Sequence, residues 1–240
     1  IGWWDVGSVT NIGSMFMYAT AFNQDIGSWD IAQVTHLNQL FLGAGAFNQD
    51  ISEWDVSNVT IMNSLFAEAS SFNQDLTAWN VSKVTSMLQT FLGATSFDGD
   101  VSNWDVSSVE NFSYAFQNAT VFNGDISEWD VSSATTMRMM FDGAAAFNQD
   151  ISGWNVASVS SMHRMFKDAA SFDQDLGDWN IGRWRTASTQ GGYEMFDGSG
   201  LSTDNYTATL IGWADLGTTI PQDVGLGAEN RGGLGVRIDA

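Results

Sequence analysis

The sequence predicts a right-handed α/β solenoid with one short parallel strand and one helix in every 25-residue turn. Three observations carry this expectation. Tryptophan recurs at Trp4, Trp29, Trp54, Trp79, Trp104, Trp129, Trp154 and Trp179, always 25 residues apart. Phenylalanine recurs at the same interval in two columns, Phe16 to Phe166 and Phe22 to Phe172, through seven copies without an insertion. Apolar residues make up 44% of the chain, and no single unit can bury its Trp, two Phe and aliphatic residues without a neighbour stacked on it.

Within one unit the helix comes first. Val59, Met62, Leu65, Phe66 and Ala69 fall at i, i+3, i+6, i+7 and i+10, the stripe of an amphipathic helix of about three turns. Thr60 stands near its start, where a hydroxyl caps orphan amides, and Thr, Ser or Glu holds that column in every copy. The strand follows at Ser71-Phe72-Asn73-Gln74-Asp75-Leu76, with apolar residues four apart and Gln74 either facing inward or marking a bend. Trp79-Asn80-Val81 then carries the chain round to the next helix. Strands of this kind stack about 4.8 Å apart, with the helices on the opposite side.

The repeats occupy residues 1–200 as seven to eight units. After Trp179-Asn180-Ile181 the register slips, and Phe196 arrives five residues late. Residues 201–221 are expected to cap the array: Thr203 starts a helix whose Tyr206, Leu210, Ile211 and Trp213 cover the last core layer. Residues 222–240 are Gly-rich and read as a tail or a link to a following domain. The chain opens at Ile1, partway through a repeat, and reads as a piece of something longer.

The unit F-N-Q-D-I-S-x-W-D-V-S-x-V-T-x-M-x-x-x-F-x-x-A stands almost whole at Phe47-Asn48-Gln49-Asp50-Ile51-Ser52-Glu53-Trp54-Asp55-Val56-Ser57-Asn58-Val59-Thr60. It resembles the BspA-like leucine-rich repeats of bacterial surface proteins over roughly residues 1 to 200. The stretch from Gly200 to Trp213 is similar to the segment that closes such arrays. The resemblance implies a leucine-rich-repeat-like solenoid on a secreted or cell-surface protein, associated with adhesion or ligand binding. It implies no particular ligand.

Charge narrows the partners. With 28 acidic and 8 basic residues the net charge is −20, so phosphate backbones and anionic lipid surfaces repel the chain and no nucleic-acid partner is expected. Mean hydropathy is −0.09 and no long apolar run is present, so no membrane insertion is expected. The absence of cysteine excludes disulfides and thiol nucleophiles. His36 and His163 lie five units apart, about 25 Å by strand spacing, too far for a shared zinc site or triad. Both are expected in solvent on the polar side of the helix. Arg138, Arg164, Lys167, Arg183 and Arg185 gather in the C-terminal half, where they offset local acidity or mark a contact.

The sharpest polar feature is the column Asp25, Asp50, Asp75, Asp100, Asp125, Asp150 and Asp175. Stacked carboxylates about 5 Å apart repel unless donors, water or cations offset them. Two roles fit: each Asp accepts hydrogen bonds from turn amides, or all seven form a calcium ladder with oxygen ligands from adjacent turns. The paired glycines of calcium-binding solenoid repeats are absent, which weighs against the metal. Calcium aside, no cofactor is expected. The Trp column reads as core rather than as a sugar-stacking row.

These carboxylates repeat without a unique acid pair, so no enzyme is expected. The expected function is extracellular or cell-surface recognition and adhesion through an extended acidic surface. Contact is placed on the strand-side row Asn48, Asp50, Asn73, Asp75, Asp100, Asn123, Asp125 and Asp150. The expected partners are a host or neighbouring-cell surface protein or glycan, or like subunits. The competing expectation is a structural subunit or spacer of a surface filament, stalk or sheath.

Overall fold

Every 25 residues the chain returns to lie on its previous coil, and the aromatic columns become three ladders of stacked rings. The computed structural model describes residues 1–185 and 191–217. Phe41 and Phe66 have ring centroids 5.6 Å apart, Phe47 and Phe72 5.9 Å, and Trp54 and Trp79 6.4 Å, with planes within about 10° of parallel. Inside one coil Phe41 and Phe47 stack at 3.9 Å. All of these rings are at most 2% exposed, and with Val56, Val59, Met62 and Leu65 they form one continuous core along the column. Each coil therefore covers the apolar face of the one before it, which is the main favourable term in the fold.

The strand and the helix expected in every turn are absent among the described residues. Among the described residues the one α-helix is α1, Thr203–Asp215, preceded by a short 3-10 turn at Gly182–Arg185. The sheet pairing reduces to isolated parallel bridges, one residue per coil, running Asn11, His36, Ile61, Ser86, Asn111, Thr136 and Ser161. The α/β solenoid of the sequence reading is thus corrected to a stack of coils built almost wholly from turns.

Where a helix was expected, the backbone makes consecutive turns. The N–H groups of Leu65, Ala67 and Ala69 close turns onto the carbonyls of Met62, Ser64 and Phe66. The alternate N–H groups of Met62, Ser64, Phe66 and Glu68 donate instead to Ser86, Leu88, Thr90 and Leu92 in the next coil, at 2.6–3.3 Å. Ser64 (φ 54°) and Glu68 (φ 57°) sit at the third position of the 62–65 and 66–69 turns, where a type II turn requires positive φ. The spacing of the ladders explains the choice. A helix with its side chains is about 10–12 Å across, and coils whose rings stack at 5.6–6.4 Å leave no room for one helix per coil. The turn run keeps the same apolar residues inside while sending half its amides along the stack.

Thr60 is consequently no helix cap. Its N–H and hydroxyl both point to the carbonyl of Thr35, at 3.1 and 3.4 Å, and Thr85 repeats this on Thr60. The expected strand at Ser71–Leu76 fails for a related reason. Direct backbone bonds between coils occur at its two ends, Ser71 N–H to Gly45 O at 3.2 Å and Leu76 N–H to Asp100 O at 3.1 Å, but between them a side chain takes the amide: Asn73 N–H donates to Asn48 Oδ1 at 2.9 Å. Gln74 reaches back with its amide to the same Asn48, at 2.7 Å to Oδ1.

The indoles of the Trp ladder tie coil to coil. Trp29, Trp54, Trp79, Trp104, Trp129, Trp154 and Trp179 donate Nε1–H to the carbonyl 28 residues earlier, at 2.8–3.2 Å. This satisfies the one polar atom of an otherwise buried ring.

The far end is closed by α1. Ser202 is its N-cap, and the Ser202 N–H donates to Asp173 Oδ1 at 2.7 Å, the bond that the next Asn of the column would make. Asn205 Nδ2 donates to Asp173 O as the Gln side chains do elsewhere. Trp213 Nε1 donates to Leu176 O at 2.7 Å in place of a further repeat Trp. Leu210 and Trp213 are buried and Tyr206 packs at the edge, but Ile211 is 56% exposed. The Gly-rich stretch beyond Pro221 lies outside the described residues.

Candidate functional site: the Asx-turn face

On the side away from the turn run, every coil makes two tight turns, each opened by an Asp or Asn. Asp50 Oδ1 accepts from Ser52 N–H at 2.9 Å, and Asp55 Oδ1 from Ser57 N–H at 3.0 Å. The same bond recurs at Asp25, Asp75, Asp100, Asp125, Asp150 and Asp175, and in the second column at Asp30, Asn80, Asp105, Asp130, Asn155 and Asn180. These are Asx-turns, which form because a short side chain places an acceptor over the amide two residues on. A Ser or Thr at that second residue adds its hydroxyl, as Thr77 Oγ1 does to Asp75 at 2.7 Å.

The eight residues of the predicted contact row, Asn48, Asp50, Asn73, Asp75, Asp100, Asn123, Asp125 and Asp150, are all exposed on this face. They divide into two kinds. The Asn members are structural pegs: Asn123 Oδ1 accepts the N–H of Asn148, and Asn123 N–H in turn donates to Asp98 Oδ1. The Asp members use one oxygen for their own turn and leave the other to solvent. Hydrogen bonds from the Ser52 amide and hydroxyl hold the Asp50 carboxyl below its ordinary value, and Thr77 does the same for Asp75 against a smaller opposing push from the Asp50 charge. Asp125 is lowered likewise by Ser127. Among the described residues no group of three or more His, Cys, Asp or Glu side chains is placed to share a metal ion.

A second polar cluster was only half legible. Arg164 Nε donates to Glu194 Oε2 and Lys167 Nζ to Asp197 Oδ2, both at 2.6 Å, fastening the last coil across the register slip. His163 is 6% exposed rather than solvated. Its ring stacks on Tyr193 at 5.6 Å, and burial, with Arg138 nearby, depresses its pKa. Among the described residues no helix is long and apolar enough to cross a membrane.

The turn chemistry that sequence reasoning missed has a signal. The column Gly43, Gly93, Asn118, Gly143, Asp168 and Gly198 is rich in residues that tolerate positive φ, and all six adopt it. Tyr18 and Glu68 hold the same column and adopt positive φ too, but in the other copies Gly, Asn or Asp would weaken a helix.

A family described as "Mycoplasma protein of unknown function, DUF285" matches residues 1–104 and again, overlapping, residues 85–207. No curated protein matches the chain, and no solved structure does.

Proposed function

The chain belongs to the DUF285 family, and from that footing we propose that it is a non-catalytic recognition module that binds partners through its long acidic Asx-turn face. The observation that supports this reading is the row of free carboxylate oxygens, one per turn, held at fixed spacing on a rigid stack. A ligand meeting this face gains by repetition, many weak contacts at one spacing, rather than by a single deep cleft. The BspA-like repeat pattern at Phe47–Thr60 supports an extracellular or cell-surface setting, with a host or neighbouring-cell protein or glycan as partner.

The test exploits substitutions that the stack already contains. Asn80 makes the same turn bond as its Asp neighbours, at 3.1 Å, so Asp50→Asn, Asp75→Asn and Asp125→Asn together should preserve the fold while removing three charges. The purified chain should be retained on cells, glycans or matrix, and the triple variant should lose that retention while still unfolding in one cooperative transition. Retention that the variant leaves intact would refute the acidic face as the contact.

A further inference from the structure

In every coil the residue just before the ladder Trp faces solvent: Ser28, Glu53, Ala78, Asn103, Glu128, Gly153 and Asp178. At Gly153 that position has no side chain, and a Cβ placed there would meet nothing within 4 Å. The space it leaves is part of a hollow of about 350 Å³ whose lining includes Ser152, Trp154, Asn155, Asp178 and Asn180. This volume falls within the range of about 300–1,000 Å³ typical of small-ligand sites. Asn155 and Asn180 are consecutive members of a column that carries Asp at Asp30, Asp55, Asp105 and Asp130. Each accepts at Oδ1 the N–H that closes its own turn, from Ala157 at 3.3 Å and from Gly182 at 3.1 Å, and keeps its amide Nδ2 for a visitor.

We propose that this hollow binds a neutral, hydroxyl-rich ring, a single sugar unit. The inference goes beyond the extended acidic face and does not rest on it. Two amide donors, the Ser152 hydroxyl and the Asp178 carboxylate give the mixed donor and acceptor set that paired sugar hydroxyls need. The Trp154 side chain, 3% exposed and stacked on Trp179 at 6.5 Å with its N–H committed to Ile126 O at 3.1 Å, stays in the core beneath the hollow, so recognition falls to the polar groups. Charge selects against the alternatives. Asp178, with Asp150 and Asp175 nearby in sequence on the same face, repels an anionic sugar. A hard cation would be held by carboxylates, and here the column carries Asn in two successive coils.

NMR titration of the intact chain with glucose, galactose and N-acetylglucosamine tests this, with N-acetylneuraminic acid as the anionic probe. At least one neutral sugar should shift the Gly153 amide saturably, and the anionic probe should not do better. Gly153→Glu fills the hollow with the residue that Glu53 and Glu128 place at the same position, and Asn155→Asp with Asn180→Asp restores the common column residue. Both changes should leave Tm unchanged and weaken binding by about tenfold or more. Absence of any shift with the neutral sugars, shifts that survive Gly153→Glu, or tighter binding of the anionic probe would overturn the site. The three Asp→Asn changes at Asp50, Asp75 and Asp125 leave the hollow untouched, so the two readings fail separately.

Discussion

Replacing Trp104 with Phe removes a donor and half of an indole from the middle of the stack. Trp104 is 3% exposed, and its ring lies between Trp79 and Trp129, each with its centroid 6.3 Å away. Its Nε1–H donates to Leu76 O at 2.8 Å. That carbonyl also accepts from Trp79 N–H at 3.0 Å, so it keeps one partner and the lost bond costs about 1 kcal/mol rather than a full desolvation penalty. The smaller ring leaves a void that the neighbours cannot close, because Trp79 and Trp129 are pinned by indole bonds of their own; this adds about 1–2 kcal/mol. The expected loss is therefore about 2–3 kcal/mol. Trp4→Phe is the matched control: Trp4 stacks on Trp29 at 6.2 Å but is 45% exposed, and its change should stay below about 0.5 kcal/mol. Urea unfolding followed by far-ultraviolet circular dichroism measures both. If the two variants unfold at the same midpoint with equal m-values, the indole bonds do not bind coil to coil and the reasoning fails.

Other perturbations read other parts of the stack. Asn73→Ala removes the acceptor of the Asp98 N–H and should cost about 1–2 kcal/mol in urea unfolding, whereas Asn73→Asp should be nearly neutral because Asp98 serves Asn123 the same way. Gly143→Ala, at φ +71° and against the Asn118 side chain, should cost about 1–2 kcal/mol, while Gly45→Ala, in open space beside Ser70, should change Tm little. The carboxyls of Asp50, Asp75 and Asp125 are lowered in the fold, so the stability they lend is fully present above the unfolded value of 3.8 and drains away as pH falls through their folded values; a Tm series through acid measures it. Raising salt from low ionic strength should raise Tm by screening the net charge of −20, and chelator should not lower it, since the Asx-turns already satisfy one oxygen of each Asp.

Much of the arrangement was readable from spacing alone. Trp and Phe at a strict interval of 25 announce coils that repeat their contacts. What periodicity could not decide was the local backbone. Val59, Met62, Leu65, Phe66 and Ala69 fit a helical stripe, yet the same spacing fits successive turns whose corners point inward. The glycine and asparagine column at Gly43, Gly93, Asn118 and Gly143 separates the two. Ser64, Gln89 and Met139 also take positive φ without belonging to the types that favour it; there the bonds to the next coil impose the conformation, and no single-residue preference foretells it. The Asp column was legible as turn chemistry, because a Ser, Thr or Gly stands two residues after each Asp. The hollow at Gly153 was not, since it depends on a missing side chain and on two Asn falling in successive coils.

The turn run has a direction. From Ser14 to Asp168, three or four backbone N–H groups per coil point toward the C-terminal end, and their carbonyl partners face back. Peptide dipoles of about 3.5 D each are thereby lined up along the column as they are in an α-helix, but with the opposite sense relative to the chain. One side of the molecule carries partial negative charge at its first coil and partial positive charge at its last. Glu194 and Asp197 sit at that positive end, where anions are favoured. Inserting further units would lengthen this polarised edge without altering its sign.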